Sequence, residues 1–226
     1  MDWKVARRER AGTKRPQLVA LAVLVLMATL LGSEDDPASA RRTAAPVDPS
    51  APAAALFVGD SIMRSVVGEL QIRLVDRLAG LATAFVASGG LGVDDSPYVA
   101  PRVTSASAAT GGFDVIVVNL GANDVLEGYV TANVGSHMNR ILDAAGTTPV
   151  LWLDQAETLP RRTAAAAYNE ALAAAVGTHP SARVVPWGAV LDAHHEYLDP
   201  DNLHLNPQGQ AALAQVITDA VDQALS

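Results

Sequence analysis

The sequence predicts a domain of the α/β class, in which a parallel sheet lies between two layers of helices. Short apolar runs, several of them rich in β-branched residues, alternate with longer segments whose apolar residues recur at helical spacing. This alternation is typical of parallel strands that are connected by helices. Small or polar residues follow directly after several of the apolar runs. Because ligands bind beyond the carboxyl ends of the strands in such sheets, we expect a functional site at that edge.

The strands and helices are predicted from residue 54 onward. A buried strand over residues 54–58 ends at Gly59, and the clearest strand, over residues 114–120, contains four consecutive β-branched residues. Asn206 and Pro207 predict the start of the last helix, since Asn caps helices and Pro fits their first position. The remaining predicted strands are 82–87, 150–153 and 183–185, and the predicted helices are 62–78, 125–145, 164–176 and 207–225. Together they predict a three-layer α/β/α fold with a flavodoxin-like five-stranded parallel sheet and helices on both faces.

The N-terminal residues 1–40 have the composition of an export signal. Six basic residues lie within residues 1–15, an apolar run follows over residues 18–31, and the small residues Ala38-Ser39-Ala40 come next. The apolar run is shorter than the ~17–25 residues that usually span a bilayer. Two features favour an uncleaved anchor instead: the basic region is long, and Ala40 lies far from the end of the apolar run. The sequence therefore supports cleavage and an uncleaved anchor about equally. We therefore expect a signal peptide or signal anchor, and a secreted or extracytoplasmic domain.

Residues 41–53 are rich in Pro and Ala without apolar periodicity, which predicts a disordered linker. The folded domain is then expected over residues 54–226. The net charge of −8 argues against nucleic acid as a partner, and a membrane contact is expected only through the possible anchor at residues 18–31. The absence of cysteine excludes disulfides, a cysteine nucleophile and thiolate metal ligands.

Ser61 is the candidate nucleophile. It follows the first predicted strand and opens the first helix, and a serine hydroxyl needs a base because it is weakly nucleophilic at its ordinary pKa. His204 can supply that base, and Asp201, three residues earlier, can hold the imidazole by its other nitrogen. Asp199 is the rival partner of His204. As a plain alternative, Ser61 is the N-cap of the helix.

An ester's tetrahedral intermediate carries an oxyanion, which needs fixed hydrogen-bond donors. The backbone N–H of Ser61 lies at a helix N-terminus, the Asn123 side chain offers an amide, and the turn at residues 88–92 offers a backbone N–H. Taken singly, Asn123 and the glycines of that turn are equally well explained as ordinary turn residues. Only their combination with Ser61 and His204 indicates an active site.

In their order, these segments resemble the four sequence blocks of the SGNH hydrolase superfamily, also called GDSL esterases and lipases. The blocks of that family hold Ser, Gly, Asn and His. Ser61 matches the nucleophile, Asn123 the oxyanion asparagine, and Asp201 and His204 the acid and the base. The resemblance extends from about residue 54 to the C-terminus and implies the fold predicted above.

The second block is the glycine-rich turn. Its G-x-x-G spacing makes Gly92 the match to the oxyanion glycine, with Gly89 and Gly90 as alternatives. In the last block, Asn202 stands where the family usually has glycine. Asn is the residue that tolerates a left-handed backbone best after glycine, so the departure is mild.

A finer similarity concerns the segments 185–187 and 201–209, which resemble those of extracytoplasmic SGNH domains attached to membrane acyltransferases. Domains of that kind act on acyl groups of envelope sugars.

The sequence thus predicts a serine esterase that cleaves acyl esters, acetyl esters among them, of a glycan or a small molecule. It uses no cofactor and no metal, since the motifs that a two-metal phosphoesterase requires are absent. An envelope sugar O-acyltransferase would use the same site, with a sugar hydroxyl in place of water. The remaining alternative is a non-catalytic envelope-binding module on the same scaffold. The presence of Ser61, Asp201 and His204 together argues against the binding module, which has no need of them. The sequence does not separate the hydrolase from the acyltransferase, and it gives neither the acyl chain length nor the oligomeric state.

Overall fold

A computed structural model describes residues 52–127, 130, 132–159 and 162–226 of the chain. Within them, five strands form one sheet in the order β2-β1-β3-β4-β5, and every neighbouring pair is parallel. The strands are β1 (Ala54–Gly59), β2 (Ala82–Ala87), β3 (Val115–Asn119), β4 (Val150–Leu153) and β5 (Ala182–Val185). This arrangement confirms the predicted fold class.

Helices cover both faces of the sheet. They are α1 (Ser61–Arg77), α2 (Ser96–Thr110), α3 (Ala122–Glu127), α4 (Val134–Ala145), α5 (Ala165–Gly177), α6 (Trp187–Ala193) and α7 (Pro207–Leu225). A turn of 3₁₀ helix, His195–Tyr197, follows α6. Because successive side chains of a strand point to opposite faces, the core has two halves. Phe57 of β1 packs with α1 and α7, whereas its neighbours Leu56 and Val58 pack with α2 and α4.

The helices differ from the sequence prediction at three places. The single helix predicted over residues 125–145 is two helices, α3 and α4. Helix α2 was not predicted, because its sequence is rich in Ser, Ala and Thr, carries Pro101 in its interior and buries few large apolar residues. Helix α6 was also missed, since its seven residues are too few to show helical periodicity.

The predicted leader at residues 1–40 and all but the last two residues of the predicted linker lie outside the described residues. In the part of the chain that the structure describes, no helix has the length and apolar character needed to cross a membrane.

Tyr168 of α5 forms hydrogen bonds next to the carboxyl end of the sheet. Its side chain is fully buried, and its hydroxyl donates to the carbonyl oxygen of Leu120 at 2.7 Å. The same hydroxyl accepts from Nε1 of the buried Trp152 at 3.2 Å. Leu120 lies between β3 and α3, the helix that carries Asn123, so this hydroxyl fixes the segment from which α3 starts.

Replacing Tyr168 with Phe is expected to lower the free energy of unfolding by about 1–3 kcal/mol, because the buried indole N–H of Trp152 then loses its partner. Urea denaturation of the wild type and the variant measures the loss. Tyr98→Phe is the matched control, since Tyr98 is exposed and keeps its ring contact with Arg102; a change within about 0.5 kcal/mol is expected there. Equal effects of the two substitutions would contradict the role of the Tyr168 hydroxyl.

Candidate active site

Ser61 is the first residue of α1, and its hydroxyl is not used to cap the helix. The cap is Asp60, whose Oδ1 accepts the backbone N–H of Ile62 at 2.8 Å. The Ser61 Oγ lies 3.2 Å from Nε2 of His204, which is within hydrogen-bonding distance. The backbone N–H of Ser61 is one of the donors that a helix N-terminus leaves unsatisfied. The structure therefore gives Ser61 a base, and within the described residues the N–H of Ser61 has no acceptor.

His204 also contacts Asp201. Its Nδ1 lies 2.6 Å from Oδ2 of Asp201, so we assign the proton of the neutral ring to Nδ1. Nε2 then carries the lone pair and accepts the Ser61 hydroxyl proton. The rival residue, Asp199, takes a different part: its backbone N–H donates to the carbonyl oxygen of His204 at 2.8 Å, which shapes the loop.

The loop that carries both residues is closed by its own backbone. An antiparallel bridge joins Leu198 to Leu205 on either side of it. Between them, Asn202 has a φ of 57°, the left-handed conformation that was expected to favour Asn or Gly there. Oδ1 of Asp201 accepts the N–H groups of Leu203 and His204, each at 2.9 Å. One carboxylate thus holds both the backbone and the ring of His204.

Helix α7 holds this loop against the rest of the domain. Oδ1 of Asn206 caps the helix by accepting the N–H groups of Gln208 and Gly209 at 3.0 Å, as the sequence predicts. The Asn206 amide donates back to the carbonyl oxygen of Glu196 at 2.6 Å. A Cβ at Gly209 would lie 2.3 Å from the carbonyl oxygen of Tyr197, so the close approach of α7 to that turn requires glycine.

Hydrogen bonding lowers the pKa of Asp201 to about 2, chiefly through the His204 ring and secondarily through the N–H groups of Leu203 and His204. Asp201 is consequently an anion throughout the neutral range and is placed to stabilise a protonated imidazole. The side chains of His204 and Asp201 are 42% and 50% exposed, so water screens their interaction. In the described part of the chain, the Ser61–His204–Asp201 site is open to solvent.

The other two expected oxyanion donors already have partners. The Asn123 amide nitrogen donates to the carbonyl oxygen of Leu91 at 2.9 Å and lies 3.4 Å from Oδ2 of Asp60. The backbone N–H of Gly92 donates to Oδ2 of Asp95 at 2.9 Å. The structure thus places these donors at the expected edge of the sheet, but with protein acceptors in the place of an oxyanion.

Sequence reasoning missed two carboxylates that support the site. Both oxygens of Asp124, which is buried, lie 3.0 Å from the backbone nitrogen of Val93 and tie the glycine-rich turn to α3. Asp60 is also buried, and burial raises its pKa to about 6 against the opposing effect of the Ile62 and Met63 N–H groups. Asp60 directly precedes Ser61, and Asp124 directly follows Asn123. This adjacency is the only signal in the sequence that could have identified them.

Arg162 was missed as well. It is a buried cation whose Nη1 donates to Oε1 of the buried Gln155 at 3.3 Å, and Gln155 in turn donates to the carbonyl oxygen of Leu120 at 3.2 Å. Burial lowers the pKa of Arg162, whereas the negative charge of Asp60 opposes that shift. Nowhere in the described ranges, the active site included, are three or more His, Cys, Asp or Glu residues arranged to hold a metal ion.

The buried Asp60 should make stability depend on pH in a definite direction. Its pKa is higher in the folded protein than the ordinary value of 3.8, so the folded state binds more protons between these values and stability falls as the pH rises. From about pH 4 to about pH 7.5, the free energy of unfolding of the wild type should fall by about 2 kcal/mol relative to Asp60→Asn. Denaturation of both proteins at the two pH values measures the difference. A constant difference would show that Asp60 is not a destabilised anion.

The chain is similar to proteins of one family in both sequence and fold. A family model described as the GDSL-like lipase/acylhydrolase family matches residues 57–212, which is most of the chain. No curated protein sequence matches the chain. The structure resembles the crystal structure of TesA with a TM-score of 0.64 and 19% identity, over 76% of this chain and 99% of that one.

Two further solved structures share the fold at low identity. A Clostridium thermocellum family 3 carbohydrate esterase has a TM-score of 0.57 and 21% identity, over 76% of this chain and 98% of that one. The catalytic domain of Streptococcus pneumoniae peptidoglycan O-acetyltransferase A has a TM-score of 0.55 and 17% identity, over 76% of this chain and 92% of that one. With the family match over most of its length and this shared fold, the chain belongs to the GDSL-like lipase/acylhydrolase family and is an SGNH-type ester hydrolase.

Proposed function

We propose that the protein is an exported serine esterase that removes acyl groups, including acetyl groups, from esters of carbohydrates or small molecules. The observation that carries this proposal is the hydrogen-bonded series from Ser61 Oγ through the His204 ring to the Asp201 carboxylate. Such a series activates a hydroxyl that is otherwise a weak nucleophile.

In the first half of the reaction, Ser61 Oγ attacks the ester carbonyl carbon and its proton moves to Nε2 of His204. Asp201, which remains ionised, stabilises the imidazolium. The negative charge that develops on the carbonyl oxygen is stabilised by the Ser61 N–H, the Gly92 N–H and the Asn123 amide. His204 then returns the proton to the departing alcohol, and the acyl group remains on Ser61.

In the second half, water attacks the acyl-enzyme while His204 takes one of its protons. The collapse of the second tetrahedral intermediate returns that proton to Ser61 Oγ and releases the carboxylic acid. Water and ester are consumed, acid and alcohol are formed, and the enzyme is regenerated.

The openness of the site and two structural neighbours support a carbohydrate ester as substrate. His204 and Asp201 are about half exposed, which leaves room for the alcohol part of a bulky ester. One of these neighbours is named a carbohydrate esterase and the other a peptidoglycan O-acetyltransferase, so both names refer to acyl groups on carbohydrate-containing substrates. The likeness to the O-acetyltransferase and the exposure of His204 also favour the alternative function, an acyltransferase in which a sugar hydroxyl replaces water in the second step.

Export is proposed from the basic, apolar and small-residue order of residues 1–40. Fractionation of cells that express the full chain tests it. Recovery of the protein with the cytoplasmic fraction would contradict export.

Ser61→Ala should lower the rate of p-nitrophenyl acetate hydrolysis by at least about 10⁴-fold, because no other group of the series can attack the carbonyl. Ser65→Ala is the matched control: Ser65 lies one turn further along α1, is exposed, and donates to the carbonyl oxygen of Ile62 at 2.8 Å. Full activity of Ser61→Ala would overturn the proposed mechanism.

The same assay separates hydrolysis from transfer. For a hydrolase, acetate and p-nitrophenol appear in equal amounts when a glycan oligosaccharide is added. A deficit of acetate that is matched by acetylated oligosaccharide would establish the acyltransferase instead.

Asp201→Asn should lower kcat by about 10²- to 10⁴-fold with little change in KM, because the amide favours the wrong tautomer of His204 and no longer stabilises the imidazolium. Steady-state kinetics on the acetyl ester measures both constants. Asp199→Asn serves as the comparison, since the Asp199 contact with His204 is made by its backbone N–H. A larger loss in Asp199→Asn than in Asp201→Asn would reverse the assignment.

A further inference from the structure

The peptide group between Leu91 and Gly92 is hydrogen-bonded at both its C=O and its N–H. Its carbonyl oxygen, which belongs to Leu91, accepts the Asn123 amide at 2.9 Å, and its N–H, which belongs to Gly92, donates to Asp95 Oδ2 at 2.9 Å. The C=O and N–H of a trans peptide point in opposite directions. A single peptide unit therefore occupies the Asn123 amide and also directs the Gly92 N–H away from it.

If this peptide plane rotated by half a turn, the Leu91 carbonyl oxygen and the Gly92 N–H would exchange directions. The Gly92 N–H would then face the side where the Asn123 amide lies, and the Leu91 carbonyl oxygen would no longer occupy that amide. Such a flip changes ψ of the first residue and φ of the second by a large amount, as between the two commonest β-turn types. Glycine at position 92 tolerates the resulting backbone, because it has no Cβ.

Hydrogen bonds hold the chain on both sides of this peptide. On one side, the Ser88 N–H is bonded to the carbonyl oxygen of Gly59 at 3.1 Å, which continues the pairing of the sheet. On the other side, the Val93 N–H is held by both oxygens of the buried Asp124 at 3.0 Å. Asp95 is only partly buried, so its carboxylate can turn to solvent when the Gly92 N–H leaves.

We propose that the Leu91–Gly92 peptide reorients when an ester binds, and that Asp95 is the positioning residue that holds the resting orientation. In the resting protein, Gly92 donates to Asp95; in the reacting complex, it donates to the ester carbonyl oxygen beside Asn123 and the Ser61 N–H. This inference rests on the proposed serine-esterase function and assigns Asp95 an inhibitory part in it.

Asp95→Ala should raise kcat/KM for p-nitrophenyl acetate by about three- to tenfold, since that factor corresponds to the net free energy of one protein hydrogen bond. The side chain of Asp95 makes no capping bond to α2, so the substitution removes no helix cap. Asp94→Ala is the matched control, because it removes the same charge at the neighbouring, exposed position and leaves the Gly92–Asp95 bond in place. It should leave kcat/KM close to the wild-type value. A fall of kcat/KM in Asp95→Ala would overturn the inference, because Asp95 would then support the active form of the loop.

A second measurement reads the peptide directly. In protein labelled with ¹⁵N-glycine, the Gly92 amide signal should differ between the wild type and Asp95→Ala in the free state. After Ser61 has reacted with a p-nitrophenyl phosphonate ester, whose anionic oxygen imitates the oxyanion, the two proteins should give the same Gly92 signal. A difference that persists unchanged in the adducts would show that the Gly92 N–H still faces Asp95, against the inference.

Release of p-nitrophenol from the phosphonate reports the reaction of Ser61 separately from the amide signal. Absence of that release would contradict the proposed function itself, and the inference with it. Release without convergence of the Gly92 signals would contradict the inference alone.

Discussion

The site depends on the register of three parallel strands. Gly59, the last residue of β1, is paired with Ala87 of β2 and with Asn119 of β3, so all three strands end at the same level of the sheet. The chain segments with Ser61, Gly92 and Asn123 consequently leave the sheet side by side. A shift of one strand by a single residue would reverse which of its side chains face each half of the core, and burial therefore fixes the register strongly.

His204, the candidate base, lies near the C-terminus, far in sequence from Ser61. Helix α7 packs against α1, whose first residue is Ser61, and the loop before α7 places His204 on the Ser61 hydroxyl. Two local features fix that loop: the Asp201 carboxylate, which binds the backbone as well as the ring of His204, and the contact of Gly209 with the Tyr197 backbone. The nucleophile and its base are thus joined by the packing of two helices that are distant in sequence.

The sheet, and the placement of the candidate site residues at its carboxyl edge, could be predicted from the sequence because both have local signals. The strands β1 and β3 are short apolar runs that end in small or polar residues, and Asn206-Pro207 marks the start of α7 at the residue where the structure has it. Helix α2 has no comparable signal, since Pro101 interrupts it and few large apolar residues face the core. The break between α3 and α4 was hidden because apolar residues continue through residues 125–145.

The electrostatics of the site could not be predicted, because burial of a polar residue depends on contacts between distant segments. Nothing local in the sequence shows that Asp60, Asp124 and Arg162 are buried, nor that the Gly92 N–H and the Asn123 amide have protein acceptors. These contacts decide how the site responds to pH and which donors are free when an ester approaches.

A Ser61 nucleophile becomes acylated during turnover. The most direct measurement is mass spectrometry of the protein quenched in acid during reaction with p-nitrophenyl acetate, followed by digestion. The expected result is the mass increase of one acetyl group on the peptide that contains Ser61, and none in Ser61→Ala. Turnover with an acetyl group on a different residue, or with no Ser61-dependent acylation, would contradict it.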